Sequence, residues 1–443
     1  MKIQLSDHFN YGKLLRFALP SIIMMIFTSI YGVVDGIFVS NYAGKEPFTA
    51  INLIMPYLMV LGTVGFMVGT GGTALISKTL GMGDHKQANE IFSMLTVFCV
   101  ICGVVLTILS LAFLRPVAIL LGAEGPILEY CVLYGQIVLP AGTAYILQFA
   151  YQNFCVTAEK SNLSLIMTVV SGVCNILLDL LFVAVFSWGL TGAAYATAIA
   201  QIIGAIIPLV YFARPNSSLL RLGKFRFNGK ALRQTCANGS SELMSNLSMS
   251  VVGILYNWQL LRYAGNDGVA AYGVIMYVNL FFLAIFIGFA IGSAPLIGYN
   301  YGADNRKELK NIFRKSLVIL GITSVLMTGS AVLLARPLAS IFVGYDQALM
   351  DMTTRGFIIY SLSFLMCGLN IFGSSMFTAL NNGLISAIIS FMRTLIIQVA
   401  ALLLLPAMWG VDGIWSSIVF AELVALMLVI VFWISKRKKY HYW

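Results

Sequence analysis

Two aspartates in long apolar stretches, Asp35 and Asp179, are the residues of this 443-residue chain best suited to do chemistry. An ionisable side chain inside a bilayer costs about 2.5–3.5 kcal/mol on insertion scales, so each is a functional candidate. Asn175 lies four residues before Asp179 and shares its helix face, and Thr197 lies in the next apolar stretch, where it can converge on that face. Two carboxylates, an amide and a hydroxyl are hard oxygen ligands suited to Na⁺ or to a bound proton. The alternative is a buried hydrogen-bonded group that fixes helix packing.

Further charged candidates lie in the second half of the chain. Glu242, near the start of a predicted helix, either binds a cation or lies at the membrane interface. Arg393 and Glu422 lie on consecutive predicted helices, and the simplest interpretation is a structural ion pair or snorkelling of the side chains. Asp412 is at a predicted helix start, where a carboxylate can cap backbone amides.

Uncharged residues complete the candidate set. Pro20 lies inside the first apolar stretch, where a proline frees a backbone carbonyl and kinks a helix, so it is a candidate hinge. Four residues could face a substrate cavity, although an aromatic in a membrane helix more often packs or forms an interfacial belt. These four are Tyr31, Tyr134, Gln148 and Gln152.

The elements that must position these residues are membrane-spanning helices. Hydrophobic residues make up 59% of the chain and charged residues only 10%, against about 25% charged in soluble domains. This composition excludes a soluble enzyme, a disordered chain and a secreted disulfide scaffold. About 20 apolar residues span a bilayer as a helix, and a lipid-exposed strand edge is not viable. The sequence predicts twelve spans, at 14–39, 50–77, 91–113, 128–150, 162–186, 190–212, 234–260, 271–299, 312–334, 353–377, 383–407 and 411–434.

The basic residues are distributed unevenly between the two sides of these spans. With the N-terminus in the cytoplasm, 21 of the 27 Lys and Arg residues lie in cytoplasmic segments, five lie on the opposite side and Arg393 lies within a span. This is the positive-inside pattern, and it predicts that both termini are cytoplasmic. The net charge of +10 therefore indicates topology and contact with anionic lipid rather than nucleic-acid binding.

The two halves of the chain repeat each other with a constant offset of 221 residues. Six spans in each half are an even number, so both halves enter the membrane with the same orientation, as in parallel-repeat transporters. The polar cluster is confined to the first half, since Asp35, Asn175, Asp179 and Thr197 fall on Tyr256, Ile396, Ala400 and Ile418. Matched pairs include Gly71 with Gly292, Gly81 with Gly302, Lys86 with Lys307, Arg115-Pro116 with Arg336-Pro337 and Trp188-Gly189 with Trp409-Gly410.

These features predict an all-α polytopic membrane protein with twelve transmembrane helices in two six-helix lobes around a central cleft. The predicted parts are an N-terminal lobe at 1–212, an inter-lobe loop at 213–233, a C-terminal lobe at 234–435 and a basic tail at 436–443. Two similar bundles that rock about a cleft are the architecture of alternating access.

This architecture, with Gly298-Tyr299-Asn300-Tyr301-Gly302-Ala303 after the eighth span and basic residues beyond it, resembles the multidrug and toxic compound extrusion (MATE) family over nearly the whole chain. Within that family, the Asp35, Asn175, Asp179 and Thr197 set is similar to the N-lobe cation site of the DinF-like prokaryotic branch. The resemblance implies that this set takes Na⁺ or a proton, that Pro20 is the bend of the first helix and that the lobe's cavity binds drugs. Tyr31, Tyr134, Gln148 and Gln152 resemble cavity-lining positions, with Gln where some relatives carry Asn.

Other branches of the family use acidic residues in helices seven and ten. The predicted tenth span (353–377) has no Asp or Glu, which argues against coupling there.

The predicted function is secondary active efflux of organic, mostly cationic or amphipathic compounds in exchange for Na⁺ or H⁺. The prediction is of a monomeric transporter in a prokaryotic cytoplasmic membrane, with no catalytic residues, no cofactor, no nucleic-acid partner and no metal beyond Na⁺ at the four-residue set. Its partners are small-molecule drugs or toxins and the lipid bilayer. One alternative is a lipid-linked precursor flippase of the same superfamily, which would need several basic cavity residues. The other is a membrane-embedded enzyme or a non-transporting receptor. The sequence gives little support for it, because the three histidines lie in tails or near the ends of spans: His8, His85 and His441.

Overall fold

The chain folds into a bundle of long helices in a computed structural model that describes residues 3–39, 42 and 44–443. Within these residues no strand is present. In chain order the helices are α1 Tyr11–Phe38, α2 Lys45–Gly81, α3 His85–Leu120, α4 Gly125–Thr157, α5 Ser161–Val185, α6 Gly189–Ala213, α7 229–264, α8 266–302, α9 Arg306–Val343, α10 Gln347–Ser361 with Phe364–Ala379, α11 Gly383–Trp409 and α12 Val411–Tyr440.

The boundary between α7 and α8 is a backbone break rather than a loop. The helical stretch from Gly229 to Gly302 comprises 74 residues, about 110 Å at 1.5 Å per residue, which is too long for one bilayer crossing. Gly265 divides this stretch with φ 64° and ψ −153°, a conformation that favours glycine. The two segments of α10 meet at a 47° bend and form one bent span. The described residues therefore contain the twelve spans that the apolar pattern predicts.

Several helices begin where the side chain of a polar residue caps their free backbone amides. Asp84 accepts from the Gln87 amide at 2.9 Å, and Asn305, its partner in the 221-residue repeat, accepts from the Glu308 amide at 3.2 Å. Such caps stabilise a helix start by about 1 kcal/mol. α3 and α9 thus start at equivalent points in the two halves.

Glycines at repeat-related positions join the two halves at the end of the bundle that carries the termini. Gly81 of α2 lies against the Tyr299 carbonyl of α8, and Gly302 of α8 lies against the Lys78 carbonyl of α2. Lys78 and Tyr299 are themselves 221 residues apart, so the crossing obeys the symmetry of the repeat. We call this region the glycine seam; it also contains Gly71 and Gly292, which approach the backbones of α7 and α1.

The first helix packs with both halves of the molecule. Leu14, Phe17 and Ala18 belong to the apolar core formed mainly by the C-terminal half. Ahead of α1, the buried Phe9 donates its amide to Glu308 of α9 at 2.9 Å. The N-terminal segment therefore ties the start of α1 to the second bundle.

Candidate functional site

Asp35 and Asp179 face each other across the packed helices α1 and α5. Asp179 is fully buried and Asp35 is 9% exposed, and the two carboxylates are close enough to interact directly. Neither forms an ion pair with a described residue. Both oxygens of Asp179 and Oδ1 of Asp35 also have no hydrogen-bond partner there. A buried pair of acids without a basic partner is an unusual and costly arrangement.

The backbone changes its helical form at this carboxylate pair. α5 is α-helical from Ser161 to Asp179 and then continues as a π-helix from Leu180 to Val185. π-helical turns are rare and occur frequently at functional sites. The sequence pattern predicted a continuous helix and gave no signal for this change.

Asn175 lies one turn before Asp179 on α5, and Thr197 of α6 lies near Tyr134, which is itself near both aspartates. Asn175 is 3% exposed, and its Nδ2 has no hydrogen-bond partner in the described part of the chain; the same is true of Oγ1 of Thr197 on α6. α5 packs against both α1 and α6. That the four residues form one cation site remains a prediction.

Two of the predicted cavity tyrosines are close to this cluster. Tyr134 of α4 is 1% exposed and lies near Thr197 and both aspartates. Tyr31 lies one turn before Asp35 on α1 and interacts with it. A phenolic hydroxyl can donate to a carboxylate or accept from another donor. The sequence assigned these tyrosines to substrate, and their location next to the aspartates was not predicted.

The two predicted cavity glutamines hold α4 against α5. Gln152 donates to the Thr168 hydroxyl at 3.1 Å and Gln148 donates to the Ser171 hydroxyl at 3.4 Å. Both glutamines are buried. Ser171 in turn donates to the Ala200 carbonyl of α6 at 2.7 Å, so this ladder fixes the spacing of the helices around the carboxylates.

The equivalent position in the second half is occupied by aromatic and aliphatic groups. Tyr256, the counterpart of Asp35, is 1% exposed and lies beside Ile418, the counterpart of Thr197. Its ring stacks on Tyr272 with centroids 4.8 Å apart. The two counterpart residues therefore also lie side by side in the second half, but only the first half has a carboxylate at this position.

Three charged residues of the second half lie close together around the buried Glu422. Arg393 of α11 and Glu422 of α12 pair at 2.8 Å, and Asn370 of α10 donates to Glu422 at 2.7 Å. Glu242 of α7 lies close enough to Arg393 to interact electrostatically. The sequence singled out the three charged members but missed Asn370, whose amide has no charge to mark it.

Two predictions about charges near helix starts are wrong in detail. Asp412 does not cap the start of α12; it pairs with Arg355 of α10 instead. The tenth helix begins at Gln347, ahead of the predicted span, and so includes one acidic residue, Asp351. Asp351 is exposed and accepts a hydrogen bond from Gln347 at 3.1 Å, since the helix extends beyond its apolar stretch.

Pro20 lies inside α1, which continues through it from Tyr11 to Phe38. Its neighbours Ser21 and Ile22 pack closely against Gly288 of α8. A proline removes one helical hydrogen bond and weakens the helix locally. That Pro20 is a hinge remains a prediction.

Sequence comparison relates the chain to known proteins along most of its length. A profile of the MatE family matches residues 20–181 and 243–403, once in each half. The multidrug export protein MepA of Staphylococcus aureus is 25% identical over 431 residues, which cover 97% of this chain and 94% of that protein. MepA of Staphylococcus saprophyticus is 26% identical over 424 residues, covering 95% and 93%.

Solved structures share the fold. A crystal structure of a MATE protein in complex with MaL6 superposes with a TM-score of 0.92 at 21% identity, covering 98% of this chain and 97% of that one. An outward-facing multidrug resistance MATE family transporter also gives 0.92 at 21% identity, covering 99% and 98%. A transporter of the same superfamily from Pyrococcus furiosus gives 0.90 at 22% identity, covering 97% of each chain.

Proposed function

The chain belongs to the MatE family, and we propose that it exports organic, mostly cationic or amphipathic compounds in exchange for Na⁺ or H⁺. The single observation that carries this proposal is the buried pair of Asp35 and Asp179, which has no basic partner in the described part of the chain. The names of the relatives, multidrug export proteins, support the class of substrate.

The carboxylate pair provides a physical basis for coupling. Two ionised carboxylates facing each other away from water repel strongly, and a bound cation or a proton relieves that repulsion. Asn175 and Thr197 add neutral oxygens of the kind that Na⁺ accepts. When an organic cation occupies the same lobe, it competes for the same negative charge, so loading the ion favours release of the substrate.

The membrane potential drives export of an uncharged substrate, whereas one-for-one exchange of an organic cation for Na⁺ or H⁺ moves no net charge and depends on the ion concentration gradient. One elementary charge moving down a potential of 100 mV yields about 2.3 kcal/mol. That energy supports roughly a 50-fold concentration gradient of an uncharged substrate, at about 1.4 kcal/mol per tenfold. An ion concentration gradient would add to it.

Alternating access in this proposal depends on the glycine seam. The contacts of Gly71, Gly81, Gly292 and Gly302 all lie in the half of the bundle nearest the termini. Their backbone approach closes that end of the cleft. We infer that the present arrangement faces the opposite side, where the cation enters, and that the lobes rock apart at the glycine seam to receive substrate.

The arrangement of Arg393 speaks against the flippase alternative. A pyrophosphate needs free cationic groups, and the guanidinium of Arg393 is already bound to Glu422 at 2.8 Å. Freeing it would leave an unpaired buried carboxylate, which is costly.

Transport by the purified protein in proteoliposomes tests the proposal. Efflux of ethidium is followed with a Na⁺ gradient and a pH gradient imposed separately, in wild type and in Asp35→Asn and Asp179→Asn. We expect one gradient to drive efflux in wild type and both substitutions to reduce it at least tenfold. Asp351→Asn, which removes an exposed carboxylate on α10, is the matched control and retains efflux.

Coupled efflux that survives in both aspartate variants would refute the assignment of the site. Absence of efflux from wild type under either gradient would refute the proposed exchange with Na⁺ or H⁺. Thr197→Val removes one neutral oxygen, so it is expected to raise the ion concentration needed for half-maximal efflux without abolishing it.

A further inference from the structure

The segment between α6 and α7, residues 214–228, has no regular secondary structure but is held in a fixed path. Loops of this length without secondary structure are uncommon in compact domains and usually have a function. The Arg221 amide donates to Asn89 at 2.7 Å, and the Gly223 amide donates to the Ser93 hydroxyl at 2.9 Å. We call residues 214–228 the strap, because these bonds fasten it along the first turns of α3.

The strap lies at the depth where α3 changes from polar to apolar. Asn89 and Ser93 belong to the first turns of α3, and the exposed apolar stripe of that helix begins at Val97 and continues through Ile101. Val97 is one turn beyond Ser93, about 6 Å along the helix axis. Residues bonded to Asn89 and Ser93 are therefore level with the edge of the surface that faces lipid.

Two large aromatic side chains of the strap are exposed at this depth. Phe225 is 53% exposed and Phe227 is 67% exposed. They are two residues apart in a segment without regular secondary structure. Single exposed apolar residues are ordinary, but two exposed aromatics in a fixed segment beside the lipid-facing stripe are suited to insertion into the interface.

Basic residues alternate with these aromatics and border a cavity. Lys224, Arg226 and Lys230 are all exposed. A cavity of about 680 Å³ lies between the strap and α3, and Phe227 lines it together with Arg226, Lys230 and Gln87 among others. Glu90 also lines it and lies 3.9 Å from Arg226, so one of the positive charges is partly offset.

We propose that the strap binds the headgroup of an anionic phospholipid, with Phe225 and Phe227 inserted beside its acyl chains. The phosphate lies against Arg226 and Lys230 at the mouth of the cavity. Lys224, which is also exposed, adds to the attraction. This inference depends on the chain being a membrane protein and is independent of the proposed transport function.

Lipid binding to the full-length protein in detergent, measured by native mass spectrometry, tests the proposal. The probes are phosphatidylglycerol, phosphatidylcholine with the same acyl chains, and glycerol 3-phosphate, which carries a phosphate without chains. A basic residue near an anionic surface contributes about fivefold in affinity. We therefore expect Lys224→Gln/Arg226→Gln/Lys230→Gln to weaken phosphatidylglycerol binding of the order of 100-fold.

The matched control removes three exposed basic residues from the C-terminal tail, in Arg437→Gln/Lys438→Gln/Lys439→Gln. It should keep the preference for phosphatidylglycerol. Phe225→Ser, which changes an exposed side chain outside the cavity lining, should weaken phosphatidylglycerol binding and leave glycerol 3-phosphate binding unchanged. All substituted side chains are exposed, so the unfolding midpoint should not change.

Three results would overturn the proposal. Equal losses in the strap and tail variants would mean that the attraction is non-specific. Glycerol 3-phosphate competing as well as phosphatidylglycerol would identify a free phosphate as the ligand. A dimer in wild type that the strap variants abolish would identify the strap as a contact between two copies of the chain.

Discussion

The glycine seam leads to a prediction about the balance between two conformations. A Cβ at Gly81 would lie closer than 3.0 Å to the Tyr299 carbonyl, and one at Gly71 would meet the backbone at Thr235. Because both obstacles are backbone atoms, the helices must move apart to accept alanine. In the proposed alternating-access cycle the penalty exists only in the conformation closed at this end, so we expect it to shift the population toward the conformation that is open there.

The size of the shift follows from the cost of overpacking. Inserting a methyl group into a tight contact costs about 1–3 kcal/mol, which corresponds to about 5- to 150-fold in the equilibrium. Gly71 and Gly81 are ten residues apart on α2, about 15 Å, so their effects should add. The double variant is then expected to cost about 2–6 kcal/mol. Moving an equilibrium from 1:99 to 99:1 takes about 5.5 kcal/mol, so the upper end of this range is enough to reverse the preferred conformation.

Spin labels at repeat-related positions measure this shift. Lys86 on α3 and Lys307 on α9 are both exposed at this end of the molecule, so each is replaced by cysteine to carry a label. The seven native cysteines are free and must first be replaced, because they would also be labelled. Electron–electron distances between labels at these two positions should lengthen in Gly71→Ala/Gly81→Ala.

The control has alanine at Gly321 and Gly329 of α9, where an added Cβ has no neighbour within 4 Å. These substitutions should leave the distances unchanged. A lowered unfolding midpoint in the seam variant without any longer distances would refute the reasoning, because the seam would then contribute only to general stability.

Two other perturbations follow from the structure. Glu422→Gln removes the carboxylate that pairs with Arg393, so it should cost about 3–5 kcal/mol in the free energy of unfolding. The control is Arg115→Ala, which breaks an exposed pair with Glu129 and should cost at most about 1 kcal/mol. Equal losses in denaturant titrations would mean that the Arg393 pair is not effectively buried. Gly265→Ala forces a side chain into the left-handed region at the α7–α8 break, so it should cost at least about 1 kcal/mol, and an unfolding curve unchanged from wild type would contradict the assigned backbone conformation.

Much of the fold could be predicted from the sequence, because few backbone structures are stable inside a bilayer. Twelve apolar stretches could only become helices, since every backbone group must be satisfied within its own segment. The constant 221-residue offset also implied that both halves have the same helix arrangement. The paired contacts of Gly81 with Tyr299 and of Gly302 with Lys78 follow that offset. These are local or repetitive signals, and they are readable without coordinates.

The candidate site was only partly predictable. Helix periodicity put Asn175 and Asp179 on one face, and the comparison of the halves showed that their counterparts are apolar. Nothing in the sequence indicated the π-helix after Asp179 or the hydrogen bond from Asn370 to Glu422. Asp412 was misassigned because its partner, Arg355, is 57 residues away.

By itself, the sequence determined the helices, the repeat and the identity of the charged residues inside the apolar stretches. Those properties depend on composition and on spacing along one segment. The tertiary structure decided which charges are paired, since Arg393 meets Glu422 across two helices while Asp35 and Asp179 have no basic partner among the described residues. It also decided that the strap is fixed beside α3. Contacts of this kind depend on how helices far apart in the chain pack, and no local pattern records that packing.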